Sequence, residues 1–461
     1  MANRHDNAWD GNRLALAEAR VTAAPAAGRD VEPARPSVAL LPWGDLLEDF
    51  LDSIGVSLQE FCDEMTGGWL FGYVTALASA GVHTVIICVS RGVTVPTHVV
   101  HRPTGATLCL LPPSRAYMPL RRLLPSRYGW TVRQALAGTR GMQWVLGLAF
   151  RELVPYLATP PLRLARELQR HCCSAILCQE YEYPRFDTSV VVGRALGMPV
   201  VATFQGGDRP HTRLERLLRP FTVRAASALV IAPASERARV RRRYRVPEAR
   251  LAEIYNPLDT ASWTRVPRAE ARASADLPVD VPVVGWHGRV DLRSKGLDVL
   301  VTGWRHVEDS TDDAWLLLIG SGDDRSALRR LIREAGLRRV RWIDQYVLDR
   351  QHLRTLLSAA DVYAFPSRHE GFPVAPVEAL ALGLPVVAAA APGISEILAG
   401  GERSGGVVVP VGDAVALASA LTRLVHDECY RAELSALARK RATAVFSPEV
   451  VGQRLRTVLL G

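Results

Sequence analysis

Short apolar runs rich in β-branched residues alternate along the chain with longer segments whose apolar positions return every three or four residues. The first kind of run suits strands buried on both faces, and the second suits amphipathic helices laid over them. The pattern therefore predicts an α/β fold with parallel sheets. Strands are expected at Val38–Leu41, Thr84–Val89, Ser174–Cys178, Pro199–Phe204 and Leu229–Ala232. A second series follows at Pro282–Trp286, Trp315–Ile319, Val340–Ile343, Val362–Phe365 and Pro385–Ala389. Between the two series lie Tyr255-Asn256-Pro257-Leu258-Asp259 and a polar stretch, which mark a domain boundary.

The expected organisation is a tail over 1–37, an N-terminal domain over 38–258, a C-terminal domain over 259–446 and a terminal helix over 447–461. Ser447-Pro448-Glu449 reads as an N-cap, a proline in the first turn and an early acid, so the helix should run over Pro448–Leu459. The tail is polar and lacks both apolar periodicity and the apolar segment of a secretory signal.

Composition narrows the class. The chain has 461 residues, 48% hydrophobic and 22% charged, enough for two or three ordinary domains. The least interrupted apolar stretch, Ala379–Ile394, is broken by Gly383, Pro385, Pro392 and Gly393, so it reads as core helix, turn and strand, not as a membrane span. The seven cysteines form no C-x-x-C pair, which favours a reducing cytoplasm and no structural zinc. A net charge of +9 leaves anionic partners open: nucleotide diphosphates, acidic lipid headgroups or nucleic acid.

Two clusters carry candidate chemistry. In the first, Gly285-Trp286-His287-Gly288-Arg289-Val290 ends a strand, and Ser294-Lys295-Gly296-Leu297 opens a helix. Arg289 and Lys295 flank the turn, where fixed cations would stabilise a diphosphate as it departs with negative charge. Taken alone, the same pair would be two solvated loop charges. In the second, Glu370-Gly371-Phe372-Pro373-Val374-Ala375-Pro376-Val377-Glu378 follows the strand Val362–Phe365, and its prolines place a helix start near Pro376. Glu370 then sits in the loop and Glu378 in the opening turns, both near the carboxyl edge of the sheet. The N–H groups of Phe372, Val374 and Ala375 would suit an anion there. The plain alternative is a loop charge and an acid favoured near a helix start.

The combination of G-R-x5-K-G with E-G-F-x5-E, the preceding Asn256-Pro257-Leu258-Asp259 and the later Gly393-Ile394-Ser395-Glu396-Ile397 resembles the family-4 retaining glycosyltransferases of GT-B fold (glycosyl transferases group 1). The resemblance covers nearly all of 38–460 and is most specific over 255–397. It implies two Rossmann-like domains facing each other across a cleft, with the C-terminal helix packing back on the N-terminal domain. It also implies metal-independent transfer of a sugar from a nucleotide-diphosphate donor, with no resident cofactor. Arg289 and Lys295 would bind the diphosphate, Glu370 the sugar and Glu378 the ribose hydroxyls. Gly320, with Ser321 and Gly322, and Tyr346 and Val347 would line the nucleotide pocket, joined by Gly371, Phe372 and Val374.

In the first half, Gly67 and Gly68 precede a helix whose Leu70, Tyr73, Val74 and Leu77 recur at helical spacing. These glycines would let backbone N–H groups approach a phosphate, as the family's Gly-rich loop does; a simple turn is the alternative. Gln205-Gly206-Gly207-Asp208 forms a second Gly-rich loop. Many members of the family carry a histidine near Gln205, and an amide can donate and accept but cannot act as a base. Gln205, Asp208 and Glu180 are acceptor-side candidates, with Glu182 and Asp187 beside Glu180; for these last three acids solvated loop charges are the alternative.

Over 117–170, arginines mix with Tyr128, Trp130, Trp144, Phe150 and Tyr156. That composition allows docking of a cytoplasmic protein on the inner face of an anionic membrane, or ordinary helices with aromatic cores, which is the simpler expectation. The arginine run 237–245 reads as a solvated helix face. No recognised nucleic-acid module occurs, Gly320-Ser321-Gly322 lacks the third glycine of a dinucleotide fingerprint, and no G-x4-G-K-[ST] is present. An epimerase or hydrolase on the same fold, or a non-catalytic nucleotide-sugar-binding protein, remains the competing reading.

Overall fold

The computed structural model describes residues 35–66, 68–124, 132–206 and 211–461; Gly67, Asp208 and most of the expected tail lie outside them. Two sheets form. The first takes β1 (Ser37–Leu41), β2 (His83–Val89), β3 (Thr97–Val100), β4 (Thr107–Leu111), β5 (Cys173–Cys178), β6 (Val200–Thr203), β7 (Ala228–Val230) and β8 (Leu251–Ala252). Their order is β3-β4-β2-β1-β5-β6-β7-β8, and only β3 pairs antiparallel, with β4. The second sheet holds β9 (Val283–His287), β10 (Trp315–Ile319), β11 (Val340–Ile343), β12 (Val362–Phe365), β13 (Val386–Ala389) and β14 (Gly406–Val409) in the order β11-β10-β9-β12-β13-β14, all parallel.

Alternation along a strand explains why these segments look uniformly apolar. In β1, Val38 and Leu40 enter one core layer while Ala39 and Leu41 enter the layer on the opposite face. The same holds in β10, where Leu317 and Ile319 face one layer and Leu316 and Leu318 the other. Ser37 already belongs to β1, so the tail expected over 1–37 ends earlier than its sequence suggests. β3, β4, β8 and β14 have no counterpart among the expected strands. β3 is a half-buried edge strand and β8 has two residues, so neither has the long apolar run that marks a buried strand.

Chain order reverses between β1 and β5 in the first sheet and between β9 and β12 in the second. Connections leave those neighbouring strands in opposite directions, and the crevice opened at their carboxyl ends is where open α/β sheets bind ligands. Both candidate clusters hang from it, one after β9 and the other after β12.

The C-terminal helix Pro448–Leu460 is capped by Ser447 and crosses back to the first domain. Val451, Leu455 and Leu459 join the core built by Leu70, Tyr73, Val74 and Leu77 of the helix Gly68–Ser79. The backbones meet closely: a Cβ on Gly452 would collide with the Ala76 carbonyl oxygen. Arg456 also donates to Ala80 O at 2.7 Å. Gly452→Val should therefore destabilise the protein by about 1–3 kcal/mol through overpacking, read as a lower midpoint in urea unfolding. An unchanged midpoint would mean that this helix does not brace the first domain.

Candidate active site

Glycine backbones bring the two loops of the second domain together. Gly296 has φ +64, and a side chain there would strike the Pro366 carbonyl; Arg368 N–H donates to Ser294 O at 2.8 Å. The Arg368 guanidinium then grips Asp298 through two bonds of 2.7 and 2.6 Å and donates to Leu292 O at 3.0 Å. Paired guanidinium–carboxylate bonds fix orientation as well as distance. The result places Lys295 Nζ 2.7 Å from Glu370 Oε1, both side chains largely buried. Arg289 instead reaches into solvent, where Asp291 is its partner among the described residues at 3.2 Å.

Gly320 shares this crowding. It has φ +136, a Cβ would collide with the Gly288 carbonyl, and one on Gly322 would strike Val290 O. Ser321 Oγ donates to Asp344 Oδ1 at 2.7 Å. Beyond it Tyr346 is half exposed while Val347 packs against the core.

Glu378 is buried and already partnered. His287 Nε2 lies 2.8 Å from its Oε2, and Arg350 makes a close ion pair with its Oε1. Burial pushes this carboxyl up, but Arg350 and then His287 outweigh burial and hold it below the ordinary carboxylate range. The ribose role implied by resemblance thus falls on a carboxylate that already accepts from two side chains. Arg350 carried no signal in the sequence, because its partner is 28 residues away.

The helix after β12 starts at Ala375 and ends at Ala381. Phe372 and Val374 precede it and Ala375 opens it, so the N–H groups expected to suit an anion lie at its N-terminal end. The Phe372 ring does other work, stacking on Tyr255 with centroids 5.1 Å apart. Val374 is half-buried against the core.

The first domain meets this edge through the Gln205–Gly206 turn. A Cβ on Gly371 would collide with Gly206, and one on Gly206 (φ +97) would sit 2.7 Å from Gly371 N. Gly393 is equally close, 2.6 Å from Gly371 O by the same measure. Gln205 Nε2 donates to Thr203 Oγ1 at 3.0 Å, and its Oε1 accepts from Asn256 Nδ2 at 3.1 Å. Asn256 also donates to Phe372 O at 2.9 Å and accepts from Tyr73 OH at 2.9 Å. The linker asparagine is thus the joint among all three segments.

Glu180 does not present its carboxylate to an acceptor. It is buried at φ +74, and it accepts from the N–H of Gln205 at 2.9 Å and of Glu182 at 3.1 Å, holding the loop from inside. Glu182 pairs with Arg239, and Asp187 accepts from Tyr156 OH at 2.8 Å and from Thr222, so both are structural as well. Arg239 and Arg237, which bonds Ile231 O at 3.0 Å, turn inward from the helix face expected to be solvated.

Two family models match: Glycosyl transferases group 1 over residues 281–427 and Glycosyltransferase Family 4 over 137–262. The chain belongs to the family-4 glycosyltransferases of GT-B fold. Among curated relatives of this family member, a GDP-mannose-dependent monoacylated alpha-(1-6)-phosphatidylinositol monomannoside mannosyltransferase of Corynebacterium glutamicum is 33% identical over 39% of this chain and 47% of its own length. A D-inositol 3-phosphate glycosyltransferase of Xylanimonas cellulosilytica is 32% identical over 52% of this chain and 58% of its own. The chain thus matches about half the length of these relatives. In fold, sucrose-phosphate synthase of Thermosynechococcus elongatus superposes with TM-score 0.64 at 22% identity, covering 92% of this chain and 98% of that one. Anabaena HepE in complex with UDP gives TM-score 0.64 at 15% identity, covering 92% and 99%.

The depressed Glu378 has a consequence for this GT-B chain. A carboxyl held low when folded adds stability above its unfolded pKa, and that stability is lost as pH falls through the folded value. Unfolding at neutral pH and at mildly acidic pH should show Glu378→Gln less stable than wild type, with the gap closing below the ordinary carboxylate range. A gap independent of pH would refute the ion-pair account.

Proposed function

We propose that the protein is a retaining glycosyltransferase whose second domain binds a nucleotide-diphosphate sugar and whose first domain offers the acceptor. The observation that carries this reading is the Lys295–Glu370 pair at the carboxyl ends of β9 and β12, faced by the Gln205–Gly206 turn. Lys295 supplies positive charge where the diphosphate departs, with Arg289 closing from solvent. Glu370 holds Lys295 in place and offers its remaining lone pairs to sugar hydroxyls. Tyr346 and Val347 bracket the base, and Glu378 with Arg350 turns to the ribose.

Gln205 cannot take a proton, so the departing diphosphate oxygen accepts it from the acceptor hydroxyl on the same face, and the anomeric configuration is retained. On this reading no resident cofactor or metal takes part in the chemistry. Cleft closure excludes water and completes the site.

Support for a lipid-linked acceptor comes from the helix Gly141–Phe150. Met142, Trp144, Val145, Leu146 and Leu148 all stand exposed on it; of the aromatic residues expected in a core, Trp144 is exposed, while Phe150 packs against the core with Tyr117 and Tyr156 bonds Asp187. Arg122, Arg133 and Arg140 are exposed nearby, and Gln143 Nε2 bonds Arg122 O at 3.3 Å; Tyr128 and Trp130 lie outside the described residues. Apolar side chains beside arginines suit a peripheral position on an anionic bilayer. The Corynebacterium relative's name gives a lipid-borne mannoside as its acceptor.

A thermal-shift panel of UDP, GDP and ADP and their sugar conjugates should single out one base. With the matching donor, Lys295→Ala should lower kcat by about a hundredfold or more. Sugar release independent of any acceptor would mean a hydrolase, donor epimerisation an epimerase, and silence across the panel a protein that binds no nucleotide sugar. For the membrane, replacing Met142, Trp144 and Leu148 together by Ser should abolish co-sedimentation with phosphatidylglycerol vesicles; undiminished binding would remove this helix from the proposal.

A further inference from the structure

We propose that His98, Cys109, Glu167 and His171 bind a divalent transition-metal ion, zinc by the chemistry of the ligands, which clips the edge strand β3 to the helix Pro161–Arg170. His98 on β3 and Cys109 on β4 are directly paired in antiparallel register, so their side chains leave the same face of the sheet side by side. Glu167 and His171 stand one helical turn apart on the helix and its C-cap. The two pairs meet, and one ligand atom from each of the four side chains lies within 4.8 Å of all the others.

A simpler arrangement would be a hydrogen-bonded ion pair, and His98 Nε2 does lie 2.7 Å from Glu167 Oε2. That pair accounts for two of the four groups. It leaves His171 Nε2 buried without a hydrogen bond, 3.7 Å from the same carboxylate oxygen, while the wholly buried Cys109 thiol shares that carboxylate as its hydrogen-bond partner. The imidazole rings of His98 and His171 sit 5.1 Å apart. An ion at the centre satisfies all four. Binding expels the Cys109 proton to solvent and takes both imidazoles neutral, with no change of oxidation state.

Two nitrogens, one sulfur and one oxygen select zinc or a close neighbour over magnesium or calcium, which demand oxygen alone. Four protein ligands leave no open position, as in a structural site. Tetrahedral ligands on zinc stand about 3.5 Å apart, so small side-chain rotations inward close the set. The site lies on β4 and β3, respectively two and three strands away from β1 in the sheet, and Lys295 and Glu370 belong to the other domain. Sequence spacing hid these ligands, since none lies in a short C-x-x-C or H-x-x-H motif; the expectation of no structural zinc rested on that absence.

The test uses the full chain. Protein purified without added metal is analysed for bound metal by mass spectrometry, then stripped with chelator and titrated with cobalt(II). One zinc per chain, replaced by cobalt with tetrahedral visible bands and a near-ultraviolet sulfur-to-cobalt band, is expected. Cys109→Ser should lose the sulfur band, while His98→Gln and His171→Gln should weaken cobalt binding by about tenfold or more. If Cys109→Ser does not fold, the wild-type spectrum and the histidine variants decide. Wild-type protein that takes up no cobalt with a sulfur band, or histidine variants that bind it as tightly as wild type, would overturn the site.

Discussion

One amide side chain ties the two domains at the point where chemistry is proposed. Asn256 donates to Phe372 O of the second domain and to Gln205 Oε1 of the first, and it accepts from Tyr73 OH, all while almost wholly buried. A buried amide left with an unmet donor or acceptor costs about 1–3 kcal/mol, so the three segments are held in register at this joint. Around that joint the packing is backbone against backbone. Gly206, Gly371 and Gly393 pass so near one another that any side chain would force them apart. The glycines permit the approach and the amide fixes its register, and Pro257, whose carbonyl faces Gly72, extends the contact to the helix behind the loop.

This constraint explains how the ion pairs on the two sides differ. Lys295 with Glu370 sits at the joint, largely shielded but still reachable, so its charges are available to a ligand while their geometry is held. Glu378 with Arg350 and His287 lies deeper, and its lowered carboxyl shows that neighbours outweigh burial. On the first-domain side the acids are spent on structure. Glu180 holds the Gln205 turn by backbone N–H groups, and Glu182 and Asp187 are consumed by arginines and hydroxyls.

Much of the fold was legible because parallel strands buried on both faces write themselves as unbroken apolar runs, as β1, β5, β10 and β12 do. The Lys295 and Glu370 segments were legible because glycines and prolines punctuate them at fixed spacing. What stayed hidden depends on pairings distant in sequence. Arg350 finds Glu378 only through the fold. The inward turn of Glu180 follows from a left-handed backbone that no local residue demands. The exposed apolar side of Gly141–Phe150 looks like a core helix until its neighbours are known, and the half-buried β3 offers no apolar run to read.

Hydrogen–deuterium exchange with and without the preferred nucleoside diphosphate tests most directly where the donor binds. The account predicts slowed exchange in 288–297 and 366–374 together, with a smaller effect at 203–206 across the joint. Protection confined to the first domain, or none at saturating nucleotide, would contradict it.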